Sequence, residues 1–386
     1  MRVALIDPSL FTLPYDRALA QGLQAAGHAV RLYARAPGAN DNDAAGVDLV
    51  DAFYRVAGSS LVASLPGRLR LGIKGLDHAA SMLLLQRRLR AERPDIIHFQ
   101  WLPLPVLDRR MLAGFAAIAP LVLTVHDTNP FNGDPSAALQ ARGFFACMPA
   151  FARVIVHTEQ GRARLLAQGV AADRLLLMPH GPLVEAQDAP PDPMQGPLQL
   201  VLFGKIKPYK GVDVLIEAFA ALPPALRSQA RLHVVGKPYM DLTPLHALAQ
   251  ARGVADRLTV EPRFVADDEM AAVFPAGAVA VFPYREIEAS GVMSIALAHG
   301  RPIVASAIGN FAETLQDGVH GHLVAPGDVP ALTAALAHLI GDRDFAASCA
   351  RAAGRLARAA PGWAEIGRRT ADVYAGMLAR AALVAA

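Results

Sequence analysis

Short apolar runs alternate with longer segments of helical period along almost the whole chain. In the first half the runs predict the strands Val3–Ile6, Val30–Tyr33, Ile96–Phe99, Leu121–Val125, Val154–Val156 and Leu175–Met178. In the second half they predict the strands Leu198–Phe203, Ala230–Val235, Leu258–Glu261, Ala278–Phe282 and Pro302–Ala305. Strands that alternate with helices are typical of parallel sheets wrapped by crossover helices, so the pattern predicts an α/β protein.

Predicted helices lie between these strands and after the last of them. They cover Tyr15–Ala26, Gly211–Ala221, Val329–Ile340 and a terminal segment of about Gly362–Leu383 that begins near Trp363. Gly27 follows the first of these helices, and a glycine in that position commonly ends a helix.

A proline-rich stretch separates the two series of elements. Residues 185–197, EAQDAPPDPMQGP, have no apolar period and are predicted to be a linker. A chain of 386 residues also exceeds what one hydrophobic core usually supports. We therefore predict two Rossmann-like, doubly wound domains, 1–184 and 198–362, that face each other across a cleft, with the helix at 363–386 packed back on the first. Open parallel sheets bind ligands beyond the carboxyl ends of their strands, so residues just after strands are the candidates for chemistry.

Composition and charge exclude several classes of protein. Apolar residues make up 53% of the chain, which excludes a disordered protein, and the longest apolar runs are too short to cross a membrane. The net charge of +3 is too small to indicate nucleic-acid binding. Cys147 and Cys349 have neither metal-binding nor redox spacing. The N-terminus lacks a basic region and a cleavage site, so we expect a cytoplasmic protein.

One segment, residues 67–93, is strongly basic. It interleaves Arg68, Arg70, Lys74, Arg87, Arg88, Arg90 and Arg93 with Leu69, Leu71, Ile73, Met82, Leu83, Leu84 and Leu85. Such a segment can lie on an anionic membrane surface, which would make the protein peripheral on the inner face of the membrane. An ordinary amphipathic helix with solvated arginines is the alternative.

The loop after the predicted strand Leu198–Phe203 carries three lysines. Its sequence, FGKIKPYKG, holds Lys205, Lys207 and Lys210 between two glycines, just before a predicted helix. Ammonium groups at the positive N-terminus of a helix suit a diphosphate, whose charge they neutralise without a metal ion. A solvated basic loop is the alternative interpretation.

The loop after the predicted strand Ala278–Phe282 leads into a helix that starts with glycine. In PYREIEASGVMSIALAHG, Glu286 and Glu288 precede Ser290 and Gly291. Glycine lets a ligand approach the backbone closely, and the first amides of a helix attract anions. A carboxylate just ahead could accept hydrogen bonds from sugar hydroxyls, or could serve only as a partner of the helix dipole.

These motifs resemble those of the GT-B-fold enzymes of glycosyltransferase family 4, also called glycosyltransferase group 1. FGKIKPYKG and EASGVMSIALAHGRPIVAS are similar to the C-terminal domain of that family, and AIGNFAETLQDGVHGHLVAPGD is similar to the segment that follows. The N-terminal half supplies PDIIHFQW, LTVHD, VIVHTEQ and MPHG in the family's order. The ordered set extends over nearly the whole chain.

The resemblance implies a hexosyltransferase that takes a sugar from a nucleotide-sugar donor, with UDP- or GDP-sugars expected. It implies a saccharide or lipid-linked acceptor, a context of polysaccharide biosynthesis, no metal ion or other cofactor, and retention of the anomeric configuration. A sugar-nucleotide epimerase or a phosphorylase on the same architecture is an alternative enzyme.

The resemblance also implies roles for individual residues. Lys205, which stands where the family usually has arginine, and Lys210 would contact the donor diphosphate. His126 would reach the donor sugar near the reacting carbon. Glu288 would contact sugar hydroxyls, and Glu286 competes for this role because the loop is one residue shorter than usual. The backbone that cradles the distal phosphate would be that of Gly291, Val292 and Met293, and Ser290 beside them is a further donor-binding candidate. The predicted catalytic residues are His126, Glu288 and Lys210.

The chain departs from the family at one position of this motif. Counting back from Gly300 puts Ile295 where the family has a second glutamate, usually a ribose contact. Isoleucine cannot hydrogen-bond a ribose, and Glu313 is a candidate substitute. The departure leaves a second function open, that of a non-catalytic protein that binds a nucleotide sugar or glycan within a synthesis complex.

Four histidines lie at or near the ends of predicted strands: His98, His126, His157 and His180. A single strand-end histidine is commonly a hydrogen-bonded structural residue. His126 stands out because Asp127 follows it and because the resemblance puts a donor contact there. His98, Asp127 and His180 are further candidates for the lining of the cleft.

Overall fold

The structure is a computed structural model that describes residues 1–386 except 39–40, 60–61, 63, 129–136, 187–195, 267–268 and 386. The chain forms two compact units, one of Met1–Pro179 with Pro361–Ala386 and one of His180–Ala360. Most of the predicted linker 185–197 lies outside the described residues.

The first unit contains a parallel sheet that has seven strands within the described residues, in the order β3-β2-β1-β4-β5-β6-β7. The strands are β1 (Arg2–Asp7), β2 (Ala29–Arg35), β3 (Asp48–Phe53), β4 (Ile96–Phe99), β5 (Leu121–Val125), β6 (Arg153–Val156) and β7 (Leu175–Leu177). The helices are α1 (Leu13–Ala25), α2 (Gly67–Glu92), α3 (Pro105–Ala116), α4 (Ala137–Cys147), α5 (Glu159–Ala167) and, from the end of the chain, α14 (Trp363–Ala385). The strand order reverses between β1 and β4, which is where doubly wound sheets bind ligands.

The second unit contains a parallel sheet with six strands within the described residues, in the order β10-β9-β8-β11-β12-β13. The strands are β8 (Leu198–Phe203), β9 (Ala230–Val235), β10 (Leu258–Glu261), β11 (Ala278–Phe282), β12 (Ile303–Ser306) and β13 (Gly321–Val324). The helices are α6 (Val212–Ala220), α7 (Pro224–Arg227), α8 (Thr243–Ala251), α9 (Met270–Val273), α10 (Gly291–Ala298), α11 (Gly309–Thr314), α12 (Val329–Gly341) and α13 (Arg343–Ala359). Its reversal lies between β8 and β11.

The prediction of two doubly wound α/β sheets was therefore confirmed, and two strands were missed. Strand β3 carries two aspartates and β13 starts with Gly-His, so neither has the apolar run of a buried strand. Both strands lie at the edge of a sheet and are only partly buried. Polar residues are tolerated at such edges, which explains why the hydrophobic pattern gave no signal there.

Apolar side chains cover both faces of each sheet. In β8, Leu200 and Leu202 belong to one core cluster and Val201 to another, as alternation along a strand requires. In the first unit, α1 and α14 cross at a close contact, because a Cβ atom on Gly22 would lie 2.2 Å from the carbonyl oxygen of Trp363. The terminal helix thus packs against the first helix of the same unit.

Helix α2, the basic segment, exposes apolar as well as charged side chains. Leu71 is 70% exposed, Leu76 76% and Leu84 61%. Its inner side contributes Met82 and Leu85 to the core of the first unit. No helix among the described residues combines the length and the apolar character that crossing a membrane requires. The exposed leucines distinguish α2 from an amphipathic helix that buries all of its apolar face.

Candidate active site

The lysine loop and the glycine-started helix meet at Gly204. The chain turns there, just after Phe203, with a φ of 112°, a left-handed value that favours glycine. A Cβ atom on residue 204 would lie 2.9 Å from Nζ of Lys210 and 3.3 Å from Cγ2 of Val292. Since β8 and β11 are neighbours in the second sheet, the loops that follow them emerge side by side at its switch point.

Lys210 is a buried cation at the centre of this junction. Its side chain is 5% exposed, and Nζ lies 2.6 Å from the hydroxyl of Tyr284 and 3.4 Å from the carbonyl oxygen of Phe203. Burial, reinforced by the charges of Lys205 and Lys207, lowers the pKa of Lys210 to about 7. An anion at this site would oppose these effects and favour the charged ammonium group.

Several contacts hold the loops after β8 and β11 together. Gly211 has a φ of 68°, and a Cβ atom there would lie 2.0 Å from the carbonyl oxygen of Pro283. The amide of Arg285 donates to the carbonyl of Tyr209 at 2.7 Å. The Arg285 guanidinium donates twice to the Asp213 carboxylate, at 2.9 and 2.6 Å. The lysine loop is thereby fixed against the segment that leads into α10.

Asn310 fixes the first turn of α10. Its Oδ1 accepts from the amide of Ser290 at 3.0 Å, and its Nδ2 donates to the Ser290 carbonyl at 3.4 Å. Its own amide donates to the carbonyl of Glu288 at 2.8 Å. The Ser290 side chain does not cap the helix; its hydroxyl is hydrogen-bonded to Tyr284 instead. The first amides of α10 are therefore not capped by Ser290.

The second unit thus brings together most of the predicted donor residues. Lys205 is exposed beside Lys210, and Ser290, Gly291 and Val292 stand at the start of α10. Glu288 is buried, with 2% of its surface exposed, whereas Glu286 is partly exposed. Met293 is buried in the core and Glu313 is exposed on α11. The functional roles of all these residues stay predictions.

His180 belongs to the second unit, with the start of α10. A Cβ atom on Gly291 would lie 3.3 Å from Cε1 of His180 and 2.9 Å from Cδ1 of Leu183. The amide of Leu183 donates to the hydroxyl of Ser294 at 3.1 Å. Burial lowers the pKa of His180, so its ring is neutral at physiological pH. The MPHG motif therefore lies against the helix that carries the second motif.

Ile295 is part of the hydrophobic core. It is 1% exposed, and the next residue, Ala296, is fully buried. A glutamate side chain at either position would leave a carboxylate in an apolar cluster. The departure from the family motif is therefore accommodated by packing, and neither side chain offers a polar group to a ligand.

In the first unit, His126 belongs to a chain of hydrogen bonds. Nδ1 of His157 lies 2.9 Å from the carbonyl oxygen of Met178, and its Nε2 lies 3.3 Å from Nδ1 of His126. Because a carbonyl only accepts, His157 carries a proton on Nδ1 in its bond to Met178. Nε2 of His126 lies 3.2 Å from the side-chain oxygen Oε1 of Gln100, which accepts from it.

His98 is a structural residue. It is fully buried, with Nδ1 2.7 Å from the hydroxyl of Tyr374 and Nε2 2.8 Å from that of Thr124. Burial lowers its pKa to about 3, so the ring is neutral. The prediction that His98 lines a cleft was wrong: the ring joins strand β4 to helix α14 through Tyr374.

Sequence reasoning missed Tyr284, Asn310 and Gln100. Tyr284 lies inside the quoted motif, yet only the pairing of β8 with β11 brings it to Lys210. Asn310 comes from the segment after β12, so its contact with Ser290 has no local signal. Gln100 follows His98 at the end of β4 and lines a small cavity with His126 and Asp127. The sequence signal that could have identified Gln100 as a candidate is its position at the end of a predicted strand.

Two family profiles match the chain. The profile "Glycosyltransferase Family 4" matches residues 17–182, and the profile "Glycosyl transferases group 1" matches residues 197–342. Together they span most of the sequence, in the order in which the two units occur.

Curated relatives are D-inositol 3-phosphate glycosyltransferases of bacteria. D-inositol 3-phosphate glycosyltransferase 2 from Catenulispora acidiphila is 32% identical over 269 residues, which are 62% of this chain and 60% of the relative. The one from Streptomyces avermitilis is 33% identical over 224 residues, which are 56% of this chain and 47% of the relative. The chain thus matches about half to three fifths of the length of these proteins.

Solved structures share the fold over nearly the whole chain. The Anabaena protein HepE, in complex with UDP and glucose, has a TM-score of 0.73 at 19% identity, covering 97% of this chain and all of its own. Sucrose-phosphate synthase from Thermosynechococcus elongatus has a TM-score of 0.76 at 21% identity, covering 98% of this chain and all of its own. At these identities the similarity establishes the architecture alone.

Proposed function

Because the chain belongs to family 4 of the glycosyltransferases, the glycosyl transferases group 1, and has the GT-B fold, we propose that it transfers a hexose-type sugar from a nucleotide-sugar donor to a saccharide or lipid-linked acceptor. The second unit binds the donor and the first unit binds the acceptor. UDP-sugars are the first donor class to consider, since HepE has been solved with UDP and glucose and with UDP-glucose. GDP-sugars are the second.

One observation carries the proposal: Lys210 Nζ and Val292 both lie within 3.3 Å of the point where a Cβ of residue 204 would stand. A cation and the N-terminus of α10 therefore share one corner of the second sheet. Both attract phosphate oxygens, and Gly204, which has no side chain, lets these oxygens approach its backbone closely. The corner is the β8–β11 switch point, where doubly wound sheets bind nucleotides.

The same groups supply the electrostatics of transfer. The bond between the anomeric carbon and the diphosphate oxygen breaks, with its electron pair leaving on the diphosphate. An acceptor oxygen bonds to that carbon, and the acceptor proton passes to the departing diphosphate or to solvent. Negative charge grows on the departing diphosphate, where Lys210 and the amides at the start of α10 are fixed in advance. Lys205, exposed at the same loop, adds a second cation. Retention of configuration is implied by family membership.

Glu288 is the first choice for a contact with sugar hydroxyls. Its backbone is tied to Asn310, and Gly309 makes that contact possible, since a Cβ there would lie 2.5 Å from the Glu288 carbonyl oxygen. A carboxylate held in this way can accept hydrogen bonds that fix the orientation of the donor sugar. Glu286, on the same loop, is the alternative.

Helix α2 is the proposed contact with an anionic membrane surface. Its exposed leucines can enter the headgroup region while Arg68, Arg70 and Arg87 meet lipid phosphates. Such a contact suits a lipid-linked acceptor and a cytoplasmic enzyme at the inner face of a membrane. Binding to phosphatidylglycerol vesicles, but not to phosphatidylcholine vesicles, tests it, with Leu71→Ser and Leu76→Ser as the variants that should weaken it.

The test of the main proposal is a screen of thermal stability and of slow donor hydrolysis against UDP-, GDP- and ADP-sugars. A donor at 100 times its Kd should add about 2.7 kcal/mol of stability. Lys210→Ala should lose the shift, whereas Arg252→Gln, which removes an exposed cation paired with Glu217 in the same unit, should keep it. Absence of any shift and of any hydrolysis would overturn the proposal.

A non-catalytic nucleotide-sugar or glycan-binding protein is the second candidate, favoured by the buried, apolar Ile295. It predicts a thermal shift with a donor but neither hydrolysis nor transfer to any acceptor in a cell extract. An epimerase would convert the donor sugar in the absence of an acceptor, so analysis of donor products separates the three.

A further inference from the structure

Two aromatic rings stack in the loops that follow β1 and β4 of the first unit. The ring centroids of Phe11 and Trp101 are 4.5 Å apart and the planes are inclined by 19°. Phe11 is 46% exposed and Trp101 is partly exposed, so the pair presents apolar surface to solvent. An exposed aromatic pair costs free energy unless a ligand covers it, which makes its position informative.

The pair lies at the switch point of the first sheet. Phe11 is in the loop after β1 and Trp101 is in the loop after β4, and these two strands are neighbours at the reversal of strand order. This is the position that Gly204 and Pro283 occupy in the second sheet, where the donor is proposed to bind. Each sheet therefore has one candidate ligand site at its reversal.

A buried carboxylate holds the loop that carries Phe11. Asp7, fully buried, accepts from the amide of Ser9 at 3.2 Å and from the amide of Thr12 at 2.9 Å. Leu10, between them, is buried with a φ of 52°, a left-handed value that few non-glycine residues adopt. The Phe11 ring is thus presented by a loop whose backbone is fixed by hydrogen bonds to Asp7.

Polar groups border the aromatic pair on one side. Trp101 lines the same small cavity as Gln100, His126 and Asp127. A pyranose ring has an apolar face of C–H groups and an edge of hydroxyls, so it can lie on an aromatic ring while its hydroxyls meet the imidazole of His126 and the carboxylate of Asp127, which are both partly exposed.

We propose that the stacked rings of Phe11 and Trp101 form the platform for a pyranose ring of the acceptor, beside His126 and Asp127. The inference rests on the proposed transferase function, because it assigns the acceptor to the first unit. It also narrows the acceptor class, since the group that receives the sugar is then itself part of a saccharide.

Tryptophan fluorescence tests the platform directly. The chain has two tryptophans, Trp101 and Trp363, so Trp363→Phe leaves Trp101 as the sole tryptophan and keeps a ring against Tyr15. In this variant, methyl glycosides of glucose, mannose, galactose and N-acetylglucosamine are titrated up to about 100 mM, which covers millimolar Kd values. Glycerol serves as a polyol without a ring, and octanol as an apolar probe.

We expect at least one glycoside to change the emission in a saturable way, and Phe11→Ala in the same background to abolish the change. Leu166→Ala, which truncates an exposed side chain on α5, is the matched control and should leave it intact. With the responding glycoside as acceptor, Phe11→Ala should raise its KM about two- to tenfold with a smaller effect on kcat.

The platform is ruled out if no glycoside changes the emission of Trp101 while the protein still binds or hydrolyses a nucleotide sugar. It is also ruled out if octanol alone changes the emission, since the rings would then be an apolar docking surface. Loss of donor binding together with an unchanged glycoside response would instead contradict the transferase proposal. The two failures are therefore distinguishable.

Discussion

The Nζ atom of Lys210 lies 2.6 Å from the hydroxyl oxygen of Tyr284, within a buried corner of the second unit. The two residues follow different strands, β8 and β11, which are neighbours in the sheet. The bond gives a desolvated ammonium group a fixed partner in the absence of a ligand. It therefore keeps Lys210 in place beside the start of α10, where charge on a diphosphate would develop.

Removing this cation should slow the reaction. Lys210→Ala should lower kcat/KM by a factor that corresponds to about 2–4 kcal/mol of lost transition-state stabilisation, as expected when one preorganised charge-stabilising donor is removed. The measurement is the rate of sugar transfer, or of donor hydrolysis if no acceptor is known. Arg252→Gln is the control for a change of net charge in the same unit. Activity of Lys210→Ala within a few-fold of wild type would remove the proposed role.

Donor binding should depend on pH because the pKa of Lys210 is about 7 in the free protein. Below this pH the ammonium group is already charged, whereas above it binding of an anionic diphosphate must take up a proton. The Kd for a UDP-sugar should therefore rise with pH by up to about tenfold per unit, until the pH passes the pKa of the complex. Calorimetric titration at a series of pH values measures this.

Lys210→Arg is the control for that pH dependence. Guanidinium remains charged throughout the range, so this variant should bind the donor with a Kd that changes little with pH. A wild-type Kd that is equally flat would mean that Lys210 does not change its charge on binding. Lys205 and Lys207 contribute to the lowered pKa of Lys210, so replacing either one should reduce the pH dependence of the donor Kd.

The hydroxyl of Tyr284 should support the charged form of Lys210. Tyr284→Phe removes an acceptor from a buried ammonium group, so the pKa of Lys210 should fall further. We expect the donor Kd to rise at neutral pH and to approach the wild-type value in mild acid. An identical shift in Kd at every pH would instead indicate a loss of packing rather than a change in the charge of Lys210.

Gly211 should be essential for stability. A Cβ atom there would meet the carbonyl oxygen of Pro283 at 2.0 Å, and the φ of 68° adds strain for any other residue. Gly211→Ala should therefore lower the stability by about 2 kcal/mol or more, measured by thermal or urea unfolding. Gly67→Ala, at the start of α2 with no atom within 4 Å of its Cβ position, should have little effect.

His157 should position His126. His157→Leu removes the imidazole that contacts Nδ1 of His126, so the ring of His126 is freed to turn. If His126 acts at the donor sugar, kcat should fall about ten- to hundredfold while donor Kd changes little. His246→Leu, an exposed histidine of the second unit, is the control. NMR of the imidazole nitrogens should detect the changed surroundings of His126 in the variant.

The strands that carry the site could be predicted because β11 is buried and apolar along its whole length and β8 is so at every position except Gln199. The ends of β8 and β11 were therefore placed correctly, and the glycines and lysines that follow them were recognised as candidates. The contacts of Lys210 could not be predicted, since they depend on which strands are neighbours. The pairing of Ser290 with Asn310 is of the same kind: the two residues lie 20 apart and follow β11 and β12.

A position at the end of a strand did not by itself distinguish a buried structural histidine from one that lines a cavity. His98 and His126 follow the same pattern, yet one bonds Tyr374 of a helix from the far end of the chain and the other lies at a cavity. His180, predicted in the first domain, packs with the second because the chain has already crossed to α10 there. These outcomes depend on long-range packing, for which a single sequence carries no periodic signal.

The most direct measurement is a crystal structure of the protein with the nucleoside diphosphate that gives the largest thermal shift. We expect the diphosphate to lie beside Gly204, with its oxygens within hydrogen-bonding distance of Lys210 Nζ and of the first amides of α10. A nucleotide bound elsewhere, or a diphosphate that contacts neither Lys210 nor the start of α10, would contradict this expectation.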